Sequence, residues 1–410
     1  MNFPAYIAQK LAANQKQTFS RFIIRLSVGA TAVGVAAMII TVCFVNGFQQ
    51  TVAQKVFNFW GHIRVQHFEP DKSLMAEELP ISRNRQIETL LSQQEGVVIQ
   101  QAFATKSAVL SHKKNIEGIL LKGIESTYDS SLIKPFITEG NWLGFKDSLY
   151  SREIIVSEQI ARLLNIRLHD TVTLYFVGNE STQTTYRKLK VTGLYKTGIE
   201  EYDKLFMLTD LRLIARLNQW EPDQIGGYEI FVKEGFNPDS VNQVLLNDLP
   251  TEWMSRTVAS IYPNIFDWLH IQNMNRNVIF IIMAIVAIIN LVTCLLILIL
   301  ERTPMIGILK ALGARDRQVI QIFLHHAGTI AFKGVIWGFL VGLGLVLLQQ
   351  ATGFIQLDES AYYVKKAPVS IIWWQIALVC IATWLLSFSI LLLPALLVKK
   401  IKPIQAIQFR

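Results

Sequence analysis

The residues of this chain whose types could do chemistry are seven histidines, three cysteines and one tight acidic group, Glu200, Glu201 and Asp203. A zinc protease needs two histidines about one helical turn apart with a glutamate beside the first. Here His325 and His326 are adjacent, and neighbouring helical side chains diverge by roughly 100°, so the two rings do not share an ion. His62 and His67 fall in an expected strand region and read as satisfied or solvent-facing side chains. Glu200, Glu201 and Asp203 could gather a cation, but such a polar run reads more simply as a solvated turn. Cys43, Cys294 and Cys380 each lie inside an apolar run, where a thiol behaves as a small hydrophobe. Gly307 and Gly313 bracket five residues, and Ala314 and Arg315 follow where a phosphate-binding loop requires Lys and Ser/Thr. No serine has the glycine-flanked setting of a nucleophile elbow. The expectation is a chain with no catalytic residues, no metal site and no cofactor of its own.

The elements that carry these residues are mostly apolar. Of 410 residues, 51% are hydrophobic and 17% charged, against about 25% charged in soluble domains. Leu26–Gln54, Asn277–Leu300, Gly334–Leu357 and Ser370–Val398 contain no charged residue, and each is long enough to cross a hydrocarbon layer of about 30 Å as a helix. The formal charge of +8 is uneven: residues 47–277 hold 24 basic and 27 acidic side chains, so the excess flanks the apolar runs. That distribution is the orientation bias of a membrane protein and excludes nucleic acid as the partner.

The fold class expected is a membrane protein with an α-helical four-span transmembrane domain and a large extracytoplasmic α+β domain between the first two spans. Residues 1–22 hold Lys10, Lys16 and Arg21 with no acid and read as a cytoplasmic amphipathic helix. Spans are expected at 23–47, 277–300, 326–350 and 370–398. Residues 48–276 form the outer domain, with an inserted subdomain near 97–205. Residues 301–325 are a cytoplasmic helix and interfacial segment, 351–369 a short outer loop, and 399–410 a basic tail. The basic segments place both termini in the cytoplasm.

Between the second and third spans lies ERTPMIGILKALGA, Glu301 to Ala314. Ile306, Leu309 and Leu312 recur at helical spacing, Pro304 suits a first turn, and Gly313 supplies a left-handed stop. Gly334, Gly338 and Gly342 share one face of the third span and let another helix approach closely.

This loop resembles that of the FtsX-like permeases of ABC transporters, whose usual form is E-R-T/K-x-E-I-G-I-L-R/K-A-L-G-A. Pro304–Met305 depart from it, placing an apolar Met where an acid is expected. The ending Leu391–Gln408 and the glycine spacing are similar to the same family. Val45–Gln66, with Gly47–Phe48 and His62–Ile63, is similar to the Lol-type (LolC/LolE) lipoprotein-releasing permeases. Val156–Leu174 resembles a recurrent strand–helix–strand element of the outer domain.

The resemblance implies an inner-membrane permease driven by a separate, LolD-like ABC ATPase subunit, which binds ATP and Mg. It also implies a second permease copy or paralogue, a lipoprotein substrate drawn from the membrane lipids, and a LolA-like periplasmic carrier chaperone. Residues then expected at the ATPase are Met305, Ile306, Gly307, Leu309, Lys310, Leu312 and Gly313. Met38, Val42, Val45, Phe48, Phe280 and Met283 are expected to meet the lipid-anchored substrate, and Gly178, Asn179, Glu180 and Gln183 the carrier. MacB-like mechanotransmission and FtsX-like control of a cell-wall hydrolase are the alternatives.

Overall fold

The computed structural model describes residues 18–69, 77–113, 115–146, 149–176, 185–390 and 392. Most of the N-terminal segment expected as an amphipathic helix, the residues expected to meet the carrier, Gly178, Asn179, Glu180 and Gln183, and the basic tail lie outside them. Two compact units are present. One comprises Met1–Gln50, Leu269–Gln356 and Lys366–Arg410; the other comprises Thr51–Trp268 and Leu357–Lys365.

The helical unit is built on four long helices. Helix α1 is Thr18–Trp60, and it outruns the expected first span because periodicity persists after the apolar run stops. Phe48, Val52, Val56 and Phe59 continue one stripe, all buried. The other unit holds the short helices α2 Arg85–Gln93, α3 Glu158–Leu164, α4 Glu200–Leu205, α5 Leu211–Leu217, α6 Pro238–Asp248 and α7 Val258–Ile261, and the next long helix is α8, Pro263–Glu301. It starts well before the expected second span, on a proline suited to a first turn. Helix α9 is Thr303–Ala311, close to expectation, with Gly313 at φ +95° after it. The expected interfacial segment and third span prove to be one helix, α10, Asp316–Thr352. No proline interrupts it, and the backbone N–H of Arg315 donates to the Gln318 side chain at its start, 2.9 Å. After the four-residue α11 (Glu359–Tyr362), α12 is described as Trp373–Ile390. Among the described residues, α8, α10 and the greater part of α1 (Arg21–Trp60) are long and apolar enough to cross a membrane; α12 is a shorter apolar helix.

The other unit is a mixed sheet of ten strands with helices around it. Its strands are β1 (Ile63–His67), β3 (Val97–His112), β4 (Asn115–Ile124), β5 (Ile137–Gly140), β6 (Glu153–Ser157), β7 (Thr171–Phe176), β8 (Thr185–Tyr195), β9 (Phe206–Asp210), β11 (Gly227–Val232) and β12 (Trp253–Thr257). A separate ladder pairs β2 (Ile81–Ser82) with β10 (Gln224–Ile225). The long β3 serves two structures. Its first half pairs with β11, which continues through β1 to β12 as an open arm. Its second half pairs with β4 on one side and β7 on the other. From β4 the pairing runs to β9, β6, β8 and β7, so six strands close a ring. Alternation fills that ring: Leu110, Leu121, Ile154, Val156, Val172, Leu174, Leu189, Val191 and Met207 are buried in one apolar cluster. Ring and arm belong to the same compact unit.

Candidate functional site

Helix α9 is held face-in, face-out. Ile306 is fully buried and Gly307 buried, with Met305 packed beside them against Leu298, Ile299, Val319 and Phe323. Lys310 extends to Asp316 at 3.0 Å, its side chain largely covered. Of the residues expected at the ATPase, Ile306 and Gly307 therefore face the chain's own core, and only Leu312 and Gly313 are well exposed. The outward stripe is Pro304, Ile308 and Leu312, one turn apart on one face. Ile308 is 53% and Leu312 80% exposed, unusual for large apolar side chains on a short polar-edged helix. Sequence spacing of Ile306, Leu309 and Leu312 pointed to a different face, because it could not tell which apolar residues the neighbouring α8 and α10 would claim.

The expected substrate residues have a similar outcome. Met38, Val42, Val45 and Phe48 are buried, and Met38 and Val42 share a cluster with Val335, Ile376 and Val379. Phe280 and Met283 pack partly buried against it. Side chains from four helices of the one chain pack around them. Among the apolar residues that remain outward on α8 are Val278, Ile281, Ile282, Ile285, Val286 and Ile289, each about half exposed or more.

Close helix approach decides the arrangement of α1 and α10. A Cβ added at Gly334 would lie 2.7 Å from Cβ of Thr31, one at Gly338 2.6 Å from Cβ of Val35, and one at Gly342 3.0 Å from Cα of Ala36. All three contacts are tighter than real Cβ atoms comfortably make, so small residues are required there. Gly47 plays the same part against the backbone of Val369, at 2.6 Å. Polar side chains add interhelical bonds: Ser27 Oγ donates to Asn290 Oδ1 at 3.1 Å and Asn46 Nδ2 to Gln375 Oε1 at 2.5 Å.

Where α1 ends, the sheet unit supplies a different environment. Lys122 of β4 and Glu229 of β11 are both fully buried and lie 2.6 Å apart. The Lys122 ammonium also donates to the carbonyl of Phe59 in the last turn of α1, where the helix carries partial negative charge. It sits 4.8 Å from the Phe59 ring and 4.5 Å from that of Trp60. Tyr128 donates to the other Glu229 oxygen at 3.1 Å. Arg64 lies 4.5 Å from both Trp60 and Phe103 and pairs with Glu78 at 3.0 Å. Glu78 in turn accepts from the Thr105 amide, 2.7 Å. Burial pulls the Lys122 ammonium down to about 8, partly offset by Glu229, and burial pushes the Glu229 carboxyl up. Both members are thus driven toward neutrality, the expected cost of removing an ion pair from water. Nothing in the sequence marked this pair, since Lys122 and Glu229 are over a hundred positions apart in apolar strands.

The acidic group also departs from expectation. Glu200 and Glu201 start α4, but Asp203 is buried rather than solvated. Its carboxylate accepts from the amides of Thr197 and Gly198, each at 2.9 Å, and from Thr197 Oγ1 at 2.8 Å. It therefore organises a loop. No group of histidine, cysteine, aspartate and glutamate suited to a metal is found among the described residues. His62, expected as satisfied or exposed, accepts from the Val232 amide at 3.2 Å and stacks on Phe57 at 4.2 Å; burial lowers its pKa to about 4.

These features agree with what the chain matches. Residues 26–247 match the family described as MacB-like periplasmic core domain, and residues 277–403 that described as FtsX-like permease C-terminal. The chain belongs to the FtsX-like permeases that carry a MacB-like periplasmic core. Its similarity to curated relatives runs nearly end to end. It is 25% identical to the lipoprotein-releasing system transmembrane protein LolE of Haemophilus influenzae, covering 99% of each chain. It is 23% identical to LolC of Neisseria meningitidis serogroup B over 97% of each, and 24% to LolC of Haemophilus influenzae over 100% of each. Among solved structures, the periplasmic region of MacB from Actinobacillus actinomycetemcomitans is similar at 14% identity and a TM-score of 0.34, covering 50% of this chain and 91% of that one.

Proposed function

We propose that this chain is the permease subunit of an ATP-driven ABC transporter that extracts outer-membrane lipoproteins from the inner membrane and passes them to a periplasmic carrier. The observation that carries this reading is the nearly end-to-end similarity to permeases named for lipoprotein release. In this reading the chain crosses the inner membrane four times with both termini in the cytoplasm. A separate ABC ATPase subunit, holding ATP and Mg, docks on the outward stripe of α9, with Ile308 and Leu312 as apolar anchors. A second permease copy or paralogue completes the assembly, and the outward face of α8 meets that partner, the lipid or the acyl chains of the substrate. The carrier would dock on the residues that follow β7 in sequence, Gly178, Asn179, Glu180 and Gln183.

Reconstitution tests this. Proteoliposomes holding the permeases and the ATPase are expected to transfer a triacylated lipoprotein to the carrier only when ATP and carrier are both supplied. Release indifferent to either would overturn the proposal. The match to the MacB-like periplasmic core supports a second reading, mechanotransmission for substrates already in the periplasm. Co-purification with an adaptor and an outer-membrane channel, and no lipoprotein transfer, would select it.

A further inference from the structure

Residues 357–365, part of the connection between α10 and α12, belong to the sheet unit and not to the helices they join. The sequence of this segment, LDESAYYVK, falls in the stretch expected as a short outer loop. Its internal bonds shape it: Asp358 Oδ1 accepts from the Ser360 amide at 3.0 Å, and the Leu357 amide donates to the Lys365 carbonyl at 2.9 Å, closing the base. Tyr363 takes a left-handed backbone conformation at φ +59°, a costly choice for a residue with a side chain. That conformation is offset by what Tyr363 touches. Its carbonyl accepts from Lys55 Nζ at 2.7 Å, its hydroxyl donates to Glu201 at 3.3 Å, and its ring meets Trp268 edge-on at 5.5 Å.

A second anchor lies alongside. Glu359 accepts from Lys196 of the sheet unit and lies 3.9 Å from Lys365. Gly198 is the point on which these bonds converge. A Cβ there would stand 2.7 Å from Lys55 Nζ, 2.8 Å from Glu359 Oε1 and 3.0 Å from the Tyr363 carbonyl, and the residue has φ +80°. Asp203, buried beneath, fixes the Gly198 amide at 2.9 Å and so holds the loop in this shape. Lys55, Glu359 and Tyr363 therefore meet at one glycine, and Trp268 packs on the ring of Tyr363.

We propose that residues 357–365 are a coupling strap: Lys196, Gly198 and Glu359 are positioning residues that fasten the α10–α12 connection to the sheet unit, so that displacement of those helices is passed to the domain during transport. This rests on the transport function proposed above, and the test separates the two. The full assembly, with the ATPase and second permease, is prepared with Lys196→Glu, Glu359→Lys, the exchanged pair of both, and Gly198→Val. Amide hydrogen exchange at 358–363 reads the fastening directly and needs no transport. Each single charge reversal is expected to speed it about fivefold, as expected of a half-buried ion pair, and the exchanged pair to restore it. Gly198→Val is expected to speed it more, because a branched side chain has no room and a disfavoured backbone.

If the strap couples, the same single variants lose about three- to fivefold in carrier-dependent release and in substrate-stimulated ATPase. Basal ATPase and membrane yield stay unchanged, and the exchanged pair recovers both losses. Unchanged exchange in the singles, or faster exchange with full release and full stimulation, would each overturn the strap. A wild-type assembly that releases no lipoprotein would instead overturn the transport reading, while exchange and ATPase stimulation still report on the strap.

Discussion

Helix α1 is gripped by two kinds of chemistry along its length. From Val28 to Ile39 its neighbours are the glycines of α10, and the contact is steric: bare backbone against Thr31, Val35 and Ala36. In its last turn the neighbours are Lys122, Glu229, Tyr128 and a set of aromatic rings, and the contact is electrostatic. The difference follows from the surroundings. In lipid, burying another apolar side chain gains nothing over the acyl chains, so association depends on fit between small residues. In a water-soluble domain, apolar burial already holds the core, and a buried charge is tolerated only when every bond it needs is present. The first grip fails when something is added, and the second when something is taken away.

That contrast can be broken experimentally. The largest effect is expected from Lys122→Ala, which leaves Glu229 buried without its cation and costs about 3–5 kcal/mol. Denaturant unfolding of the detergent-solubilised protein, followed by tryptophan fluorescence, measures it. Lys122→Met combined with Glu229→Met should recover most of the loss; a double variant as unstable as the single would show that the charges themselves are needed. Gly338→Val comes next, at about 1–3 kcal/mol, and is read by the same unfolding experiment. If Val is tolerated at Gly338, steric fit is not what holds the membrane half of α1.

Helix α9 sharpens the contrast, since its two faces obey different rules. Ile308→Asp or Leu312→Asp should reduce ATPase co-purification about tenfold, equivalent to about 1.4 kcal/mol, without changing thermal stability. Ile306→Asp should instead lower the yield of folded protein, because it buries a carboxylate. Equal effects at 306 and 308 would contradict the assignment of faces. The smallest effect is a pH dependence at the end of α1. His62 holds a pKa of about 4 where 6.5 is ordinary. The unfolded chain therefore binds a proton first as pH falls, and the stability this site gives, complete above 6.5, is lost progressively toward 4. A His62→Gln variant should unfold with a flatter profile between those values.

How much of this was legible in the sequence depends on the length scale of the signal. The long apolar helices α1, α8 and α10, and the short α9, were readable because each rests on local composition or spacing, such as the uncharged run from Asn277 to Leu300. In the outer domain the strand region at His62 and the strand–helix–strand element at Val156–Leu174 were readable too, as β1 and as β6, α3 and β7. Helix ends were not, because Val52 and Val56 continue a stripe after the overall composition has turned polar. Side-chain roles were the hardest. Whether Ile306 or Ile308 faces outward depends on neighbours distant in sequence, and so does the burial of Met38, Val42, Asp203 and Lys122.

The closed ring has one further consequence, for how other polypeptides can attach. Eight strands of the sheet, the six of the ring together with β1 and β11, have both backbone edges occupied over at least part of their length, so they offer no continuous template for strand addition. Within the ten-stranded sheet, the ends of the pairing path are β12 and β5. A partner that binds by extending the sheet has those two doors, Trp253–Thr257 and Ile137–Gly140. The register of any such complex would be set by five residues at one and four at the other.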